Sequence, residues 1–224
     1  MSNVITTDQN IERSVRNAAV VAGLAVLVMA FTVPIVEFYI LPKLIDYENA
    51  RLTHSNIKNH PYLFSTAIFI HFLSVLCDVV SAWALYLFFR PVRNNIALLA
   101  SWIRLVYAGF NVVALFKLVE VVSLTRTNAT IKAISHEQTS EYVLHCVRSF
   151  HLQWKFGLIF FGIYLLFLSY LIYCSGYVPK FLGALMAAAA IGYIIDDLKY
   201  FYFPEFDTGY LGFTILGELI FTFW

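Results

Sequence analysis

Charged and polar side chains lie inside stretches of this sequence that are otherwise apolar. They are Glu37, Asp78, Arg104, Lys117, Glu120, Lys155, Asp196, Asp197, Lys199 and Glu218, together with His71 and Asn111. Carboxylates and imidazoles can transfer protons, and all of these groups can hydrogen-bond a ligand. If the stretches span a membrane, each charged group costs roughly 2.5–3.5 kcal/mol there and is kept where it pairs, faces other helices or meets water. These side chains are therefore the candidates for function.

Two of these residues are predicted to meet between neighbouring antiparallel helices. Asp78 lies 12 residues before Arg90. Arg104 lies about nine residues into the next helix, which at about 1.5 Å per residue brings the two side chains to a similar depth. His71 and Asn111 share their faces, because a step of seven residues nearly completes two helical turns. The two helices therefore present matched polar faces.

The remaining polar groups form two sets. Some are pairs near helix ends, and the others lie in the outer half of the membrane, as His71 and Asn111 do. Lys117 with Glu120, and Asp196 with Lys199, are spaced i,i+3 and predict local ion pairs. Asp196 and Glu218 reach a depth close to that of His71 and Asn111, which predicts a polar cavity in the outer half. Asp197 points about 100° away from Asp196 and is expected to reach the interface or Lys199.

A further polar face is expected on the fourth apolar run. His151, Lys155 and Gly162 lie on it, and Gly162 can let a neighbouring backbone approach closely. The histidines and carboxylates follow no metal-ligand spacing, so neither a metal ion nor a cofactor is predicted. Aromatic residues make up 17% of the chain, more than two interfacial belts need, and Tyr193 is one of those expected to line a pocket.

The elements that position these residues are membrane helices. Apolar residues make up 60% of the 224 positions and charged residues only 13%, about half the usual fraction in soluble domains. Apolar runs lie at about 17–42, 62–89, 96–124, 141–174, 180–203 and 208–224. We therefore expect an all-α fold, a polytopic membrane helix bundle with six transmembrane helices, with residues 1–224 as a single transmembrane domain.

Within these runs, residues 141–154 are rich in charge and suit an interfacial turn, with the lipid-embedded part starting near Lys155. Arginines at the ends of short connections favour a cytoplasmic N-terminus in a bacterial inner (plasma) membrane.

The 15 basic residues nearly balance 14 acidic ones, which excludes nucleic acid as a partner. The three cysteines are expected to be free thiols.

A set of short motifs resembles one bacterial family. The motifs are Cys77-Asp78, Leu85-Tyr86, Arg90-Pro91-Val92, Phe160-Phe161-Gly162, Tyr170-Leu171, Ser175-Gly176-Tyr177-Val178-Pro179 and Gly192-Tyr193-Ile194-Ile195-Asp196. In this order they resemble the domain-of-unknown-function family 4386 over nearly the whole chain. The resemblance implies a compact multi-helix membrane protein, implies no particular activity, and places polar family positions at Asp78, Arg104, His151 and Asp196. Tyr164 and Cys174 depart from the family pattern, which has His and Arg there.

Three functions fit these residues. The first is a protein that binds a small hydrophobic or amphiphilic molecule in a membrane-buried polar cavity. Its ligand-binding residues would be His71, Arg104, Asn111, His151, Tyr193, Asp196 and Glu218. The second is an intramembrane enzyme, such as a cyclase or isomerase of a lipid or isoprenoid, with Asp78 or Asp196 as the general acid. The third is a proton-coupled transporter that uses His71 and the carboxylates as a proton relay. Membrane lipid and a small hydrophobic molecule are the expected partners, and the sequence predicts no oligomeric state.

Overall fold

All regular secondary structure in the described residues is helical. The computed structural model describes residues 2–126, 135–202 and 220–223. Its helices are α1 (Ser2–Ile35), a π-helical segment (Val36–Ile40), α2 (Leu41–Leu44), α3 (Ala50–Asn59), α4 (Pro61–Arg126), α5 (His136–Ser175) and α6 (Lys180–Tyr202). Helices long and apolar enough to cross a membrane cover Val15–Leu44, Pro61–Arg126, His136–Ser175 and Lys180–Tyr202. The chain is thus a helical membrane protein, as predicted.

Helix α4 contains two of the predicted spans. Its 66 residues would extend about 100 Å if straight, far more than a bilayer core. The helix is broken at Arg93, whose φ of −151° and ψ of 94° are not helical, two positions after Pro91. The Ser101 hydroxyl donates to the Ala82 carbonyl at 3.1 Å, so the two arms fold back on each other there.

Six separate spans are not confirmed. In the described part of the chain four helices are long and apolar enough to span, and the segments 62–89 and 96–124 are two arms of one of them. The predicted last span, 208–224, lies outside the described residues except for positions 220–223, which are helical.

The chain divides into two compact units. The first contains Met1–Val28, Cys77–Ala108 and Phe156–Trp224, and the second contains Met29–Leu76 and Gly109–Lys155. The first unit therefore takes the middle of α4 and the second unit takes its two ends, whereas α5 is divided once between them. Each unit is described by itself below.

In the first unit, α5 and α6 pack closely at a glycine. A Cβ atom added at Gly162 would lie 2.7 Å from Ile194 Cγ1 and 3.0 Å from the carbonyl oxygen of Ala190. Only a residue without a side chain fits there, so the predicted close approach at Gly162 is confirmed. The connection between the two helices includes Gly176, whose φ of 73° is the left-handed conformation that glycine adopts without strain.

In the second unit, α1 changes its helical register near its end. Pro34 lies inside α1 and removes one backbone donor, and the wider π-helical turn Val36–Ile40 follows it. This turn carries Glu37. After α2, the side chain of Asn49 accepts a hydrogen bond from the Leu52 amide and caps α3.

Helix α5 is continuous where an interfacial turn was expected. Ser135 and Gln138 exchange side-chain-to-backbone hydrogen bonds of 2.9 and 3.2 Å, the capping-box pattern that starts a helix. The helix then runs without a break from His136 to Ser175, so the prediction of a turn at 141–154 is wrong. The polar side chains at 141–154 do not interrupt the helix, because these fourteen residues include neither proline nor glycine.

Candidate functional site

An ion pair between the arms of α4 is buried in the first unit. Arg104 Nη2 is 2.9 Å from Asp78 Oδ1, and the two residues are only 2% and 3% exposed. The predicted meeting of these residues is confirmed. Ser81 lies one turn away, and its hydroxyl donates to the Asp78 carbonyl.

The Arg104 guanidinium also contacts α5. Its Nη1 donates to the Tyr164 hydroxyl at 2.8 Å, and its Cζ lies 4.8 Å from the Tyr164 ring centroid and 5.6 Å from that of Phe161. Tyr193 packs edge-on against Phe161 at 5.4 Å. Arg104 and Tyr193, both predicted site residues, therefore belong to one connected group. The resemblance had singled out position 164, but not its contact with Arg104.

This arrangement suits a structural role for Asp78 and Arg104. Both charges are buried, Asp78 is already paired, and Arg104 has a second partner on another helix. A buried pair with such contacts fixes helix register, and losing one partner is costly. Proton transfer from Asp78 to a substrate would require breaking this pair, which disfavours it as a general acid.

The burial of the two adjacent aspartates of α6 is the opposite of what the sequence suggested. Asp196 Oδ1 lies 3.3 Å from Lys199 Nζ, and its side chain is 45% exposed, so the predicted i,i+3 ion pair is confirmed. Asp197 is the buried residue, at 2% exposure. The i,i+3 spacing places Asp196 on the side of the helix that carries Lys199, and Asp197 points about 100° away from Asp196.

In the second unit, a buried histidine meets a carboxylate that is largely shielded from solvent. His71 Nε2 lies 3.1 Å from Glu37 Oε1, and their side chains are only 8% and 15% exposed. The π-helical turn after Pro34 carries Glu37, whereas His71 lies on the first arm of α4. The sequence marked both residues as polar groups in apolar runs but did not pair them. Pro34, three residues before Glu37, was the available signal for an irregular turn.

Aromatic rings surround His71. Its ring lies edge-on to Phe150 at 5.3 Å and to Trp154 at 5.9 Å between centroids. His151 contacts the same two rings at 5.0 and 6.4 Å, and Tyr47 packs edge-on against it at 5.9 Å. Glu37 and His71 both interact electrostatically with His151. We call Glu37, His71 and His151 the His–Glu cluster.

Three atoms of the His–Glu cluster are buried without a hydrogen-bond partner in the described part of the chain. They are Glu37 Oε1, His71 Nε2 and His151 Nε2. Glu37 Oε1 and His71 Nε2 nevertheless lie 3.1 Å apart as an ion pair, so His151 Nε2 is the atom of the cluster with neither a hydrogen-bond nor an ion-pair partner among the described residues. An unsatisfied buried polar group costs about 1–3 kcal/mol, so His151 Nε2 indicates a place for a polar partner near the ion pair.

Tyr47 connects this cluster to the chain outside the spans. Partial burial and the negative charge of Glu37 raise the pKa of Tyr47 to about 12, while Arg148 acts in the opposite direction. Tyr47 is therefore a neutral phenol at physiological pH. Arg148 donates a short hydrogen bond to the Tyr47 backbone carbonyl.

The predicted ligand-binding residues are thus divided between the units. His71, Asn111 and His151 lie in the second unit, and Arg104, Tyr193 and Asp196 lie in the first. Asn111 Oδ1 is buried and has no hydrogen-bond partner among the described residues. Glu218 lies outside the described residues. In the ranges 2–126, 135–202 and 220–223, no three His, Cys, Asp or Glu side chains are placed to share a metal ion.

Comparison with known proteins identifies the family. The family described as Domain of unknown function (DUF4386) matches residues 21–224. The chain belongs to the DUF4386 family. It is also similar to an uncharacterized protein of Archaeoglobus fulgidus, with 38% identity over 153 residues that cover 68% of this chain and 77% of the relative. No solved structure matches the chain. The resemblance drawn from the sequence motifs is therefore confirmed.

Proposed function

We propose that this DUF4386 protein binds a small amphiphilic molecule within the membrane, at the His–Glu cluster of its second unit. The observation that carries the proposal is the buried Nε2 atom of His151, which has no hydrogen-bond partner among the described residues, near the ion pair of His71 with Glu37. In lipid such an atom is retained where it meets a ligand, another protein group or water. A ligand head group would satisfy it.

The surroundings of the cluster favour an amphiphile over a fully polar ligand. Phe150 and Trp154 pack directly on His71 and supply apolar area beside the polar atoms. Glu37 lies seven residues before Leu44, where the apolar helical stretch ends. This corresponds to about 10 Å of helix, a depth that a head group reaches while its alkyl chain extends toward the bilayer centre.

The proposed setting is the bacterial inner (plasma) membrane, with the N-terminus in the cytoplasm. Membrane lipid and a small hydrophobic molecule are the proposed partners. The arginines at the ends of the short connections between helices support this orientation.

Native mass spectrometry of the purified protein tests the proposal. We expect a bound organic molecule on the wild-type protein that is lost from His151→Phe, because phenylalanine keeps a ring but removes the buried nitrogen. His145→Phe is the matched control, since His145 lies on the same helix but is exposed. Equal retention by both variants, or no bound molecule on the wild type, would contradict binding at this cluster.

Proton-coupled transport is the second candidate, and the short contact between Glu37 and His71 favours it. A histidine and a carboxylate in contact can exchange a proton, as in the relays of membrane transporters. Acidification inside proteoliposomes during uptake of the co-purified molecule would support transport. Binding of that molecule without any proton movement would contradict transport and leave binding as the function.

A further inference from the structure

We infer that the first unit binds the phosphate group of an anionic glycerophospholipid at Arg93 and Lys180, beside the C-terminal end of α5. We call these two cations, with the rings of Tyr170 and Tyr173, the basic–aromatic patch. The patch is separate from the His–Glu cluster, because it lies in the other unit.

The two cations of the patch lie over neighbouring rings of α5. Arg93 Cζ is 5.8 Å from the Tyr170 ring centroid, and Lys180 Nζ is 5.0 Å from that of Tyr173. Because the two tyrosines are three residues apart on one helix, their side chains are neighbours on its surface. The two cations are therefore held on the same part of the helix surface, although they are far apart in the chain.

A contact between the two short connections holds this arrangement. The Tyr177 hydroxyl donates to the Phe88 carbonyl at 3.0 Å, and the two rings pack edge-on at 5.3 Å between centroids. Phe88 lies five residues before Arg93, and Tyr177 lies three residues before Lys180. The two cations are thus carried by segments that contact each other directly.

No acidic side chain described in the first unit lies close enough to neutralise the patch. The acidic residues described there are Asp78, Asp196 and Asp197. Asp78 lies 12 residues before Arg90 and Asp196 lies 16 residues after Lys180, which correspond to about 18 and 24 Å of helix. Both exceed the distance of about 8 Å over which exposed charges interact at physiological ionic strength. The patch therefore keeps its positive charge for an anionic partner.

The surroundings of the patch favour a membrane lipid over a soluble anion. Tyr170, Tyr173 and Tyr177 are exposed at the end of an apolar helix, and exposed tyrosines are enriched at the level of the lipid head groups. Leu166 is exposed one turn further into the span from Tyr170 and continues the same face. A phosphate at the patch would let its acyl chains run along this apolar face, and basic side chains at this level attract anionic lipids.

Native mass spectrometry of the full-length protein in a neutral detergent tests the inference. The protein is titrated separately with dioleoylphosphatidylglycerol and dioleoylphosphatidylcholine, which share their acyl chains and differ in head-group charge. We expect phosphatidylglycerol to bind about tenfold more tightly, because the choline cation offsets the attraction of the phosphate to the patch. Equal affinities for the two lipids would overturn the inference.

Removal of the two positive charges locates the site. The double variant Arg93→Gln/Lys180→Gln should lower the affinity for phosphatidylglycerol to that for phosphatidylcholine. Its affinity for phosphatidylcholine should not change, which also shows that the protein is folded. Lys43→Gln is the matched control, because Lys43 lies over a tyrosine ring at 3.5 Å but is followed within five residues by Asp46 and Glu48. It should keep the wild-type preference.

An unchanged preference in the double variant, or an equal loss in Lys43→Gln, would overturn the assignment to this patch. Two measurements on the wild-type protein do not depend on the folding of a variant. A higher ammonium acetate concentration should weaken binding of phosphatidylglycerol more than that of phosphatidylcholine, since salt screens exposed charges; equal weakening would contradict a charge-based site. Inorganic phosphate at the concentration of the lipid should not displace phosphatidylglycerol, and displacement would identify a site for free phosphate instead.

Discussion

Arg104 Nη2 lies 2.9 Å from Asp78 Oδ1, although the two residues are 26 positions apart. Their side chains are almost completely buried. Each charge therefore depends on the other, since neither has water to solvate it.

Arg104→Met should destabilise the protein by about 3–5 kcal/mol, because it leaves the Asp78 carboxylate buried and unpaired. The double variant Asp78→Leu/Arg104→Met should recover much of this loss. The measurement is the free energy of unfolding in detergent.

The control for this substitution is Lys117→Met, which breaks a pair whose side chains are 36% exposed. Its cost should stay below about 1 kcal/mol, because solvent screens the charges. If the losses in the free energy of unfolding for the single variants at Asp78 and Arg104 simply add in the double variant, the contact between the two residues does not stabilise the protein.

Gly162→Ala should destabilise the packing of α5 on α6 by about 1–3 kcal/mol, the usual cost of overpacking. The new Cβ would lie 2.7 Å from Ile194 Cγ1 and 3.0 Å from a backbone oxygen, which cannot move away easily. Thermal unfolding in detergent measures the change.

Gly109→Ala is the matched control, since nothing lies within 4 Å of its added Cβ. It should be neutral or stabilising by up to about 1 kcal/mol through the higher helix propensity of alanine. A smaller loss from Gly162→Ala than from Gly109→Ala would contradict the close approach.

The stability of the protein should decrease as the pH falls below about 6.5, the usual value for histidine, partly because of His54. Burial and the positive charges of Lys58 and His136 lower the pKa of His54, whose Nδ1 lies 2.9 Å from the Ser140 hydroxyl. The unfolded chain then binds a proton more readily than the folded one, so stability is present above the unfolded pKa and is lost as the pH falls through the folded pKa.

His54→Gln should flatten this part of the pH dependence while keeping a polar side chain beside Ser140. Unfolding followed between neutral and mildly acidic pH measures the slope for both proteins. Identical slopes would mean that His54 does not contribute.

Membrane topology can be measured with single cysteines in a background that lacks Cys77, Cys146 and Cys174. An impermeant thiol reagent added to intact cells should label Ser55→Cys and leave Asn94→Cys unlabelled. We expect this because the first arm of α4 lies between the two positions in the chain. Arginines at the short connection just before Asn94 favour a cytoplasmic location for it. Both positions are exposed, so access to the side chain does not limit labelling. The reverse pattern would invert the proposed orientation.

The sequence by itself determined the helical membrane class and the contacts that follow from helix geometry. Asp78 and Arg104 could be paired because the rise per residue fixes their depth on two arms joined by a short turn. The pairs of Lys117 with Glu120 and of Asp196 with Lys199 follow from i,i+3 spacing on one helix.

Only the tertiary structure decided the composition of the candidate site. The pairing of Glu37 with His71 depends on the π-helical turn after Pro34, which rotates the helix out of the regular register that sequence counting assumes. The packing of Phe150 on His71 joins residues far apart in the chain, and no local rule specifies such a contact. Helix periodicity fixes which residues share a face, whereas the rotation of each helix against its neighbours depends on the packing of whole side chains.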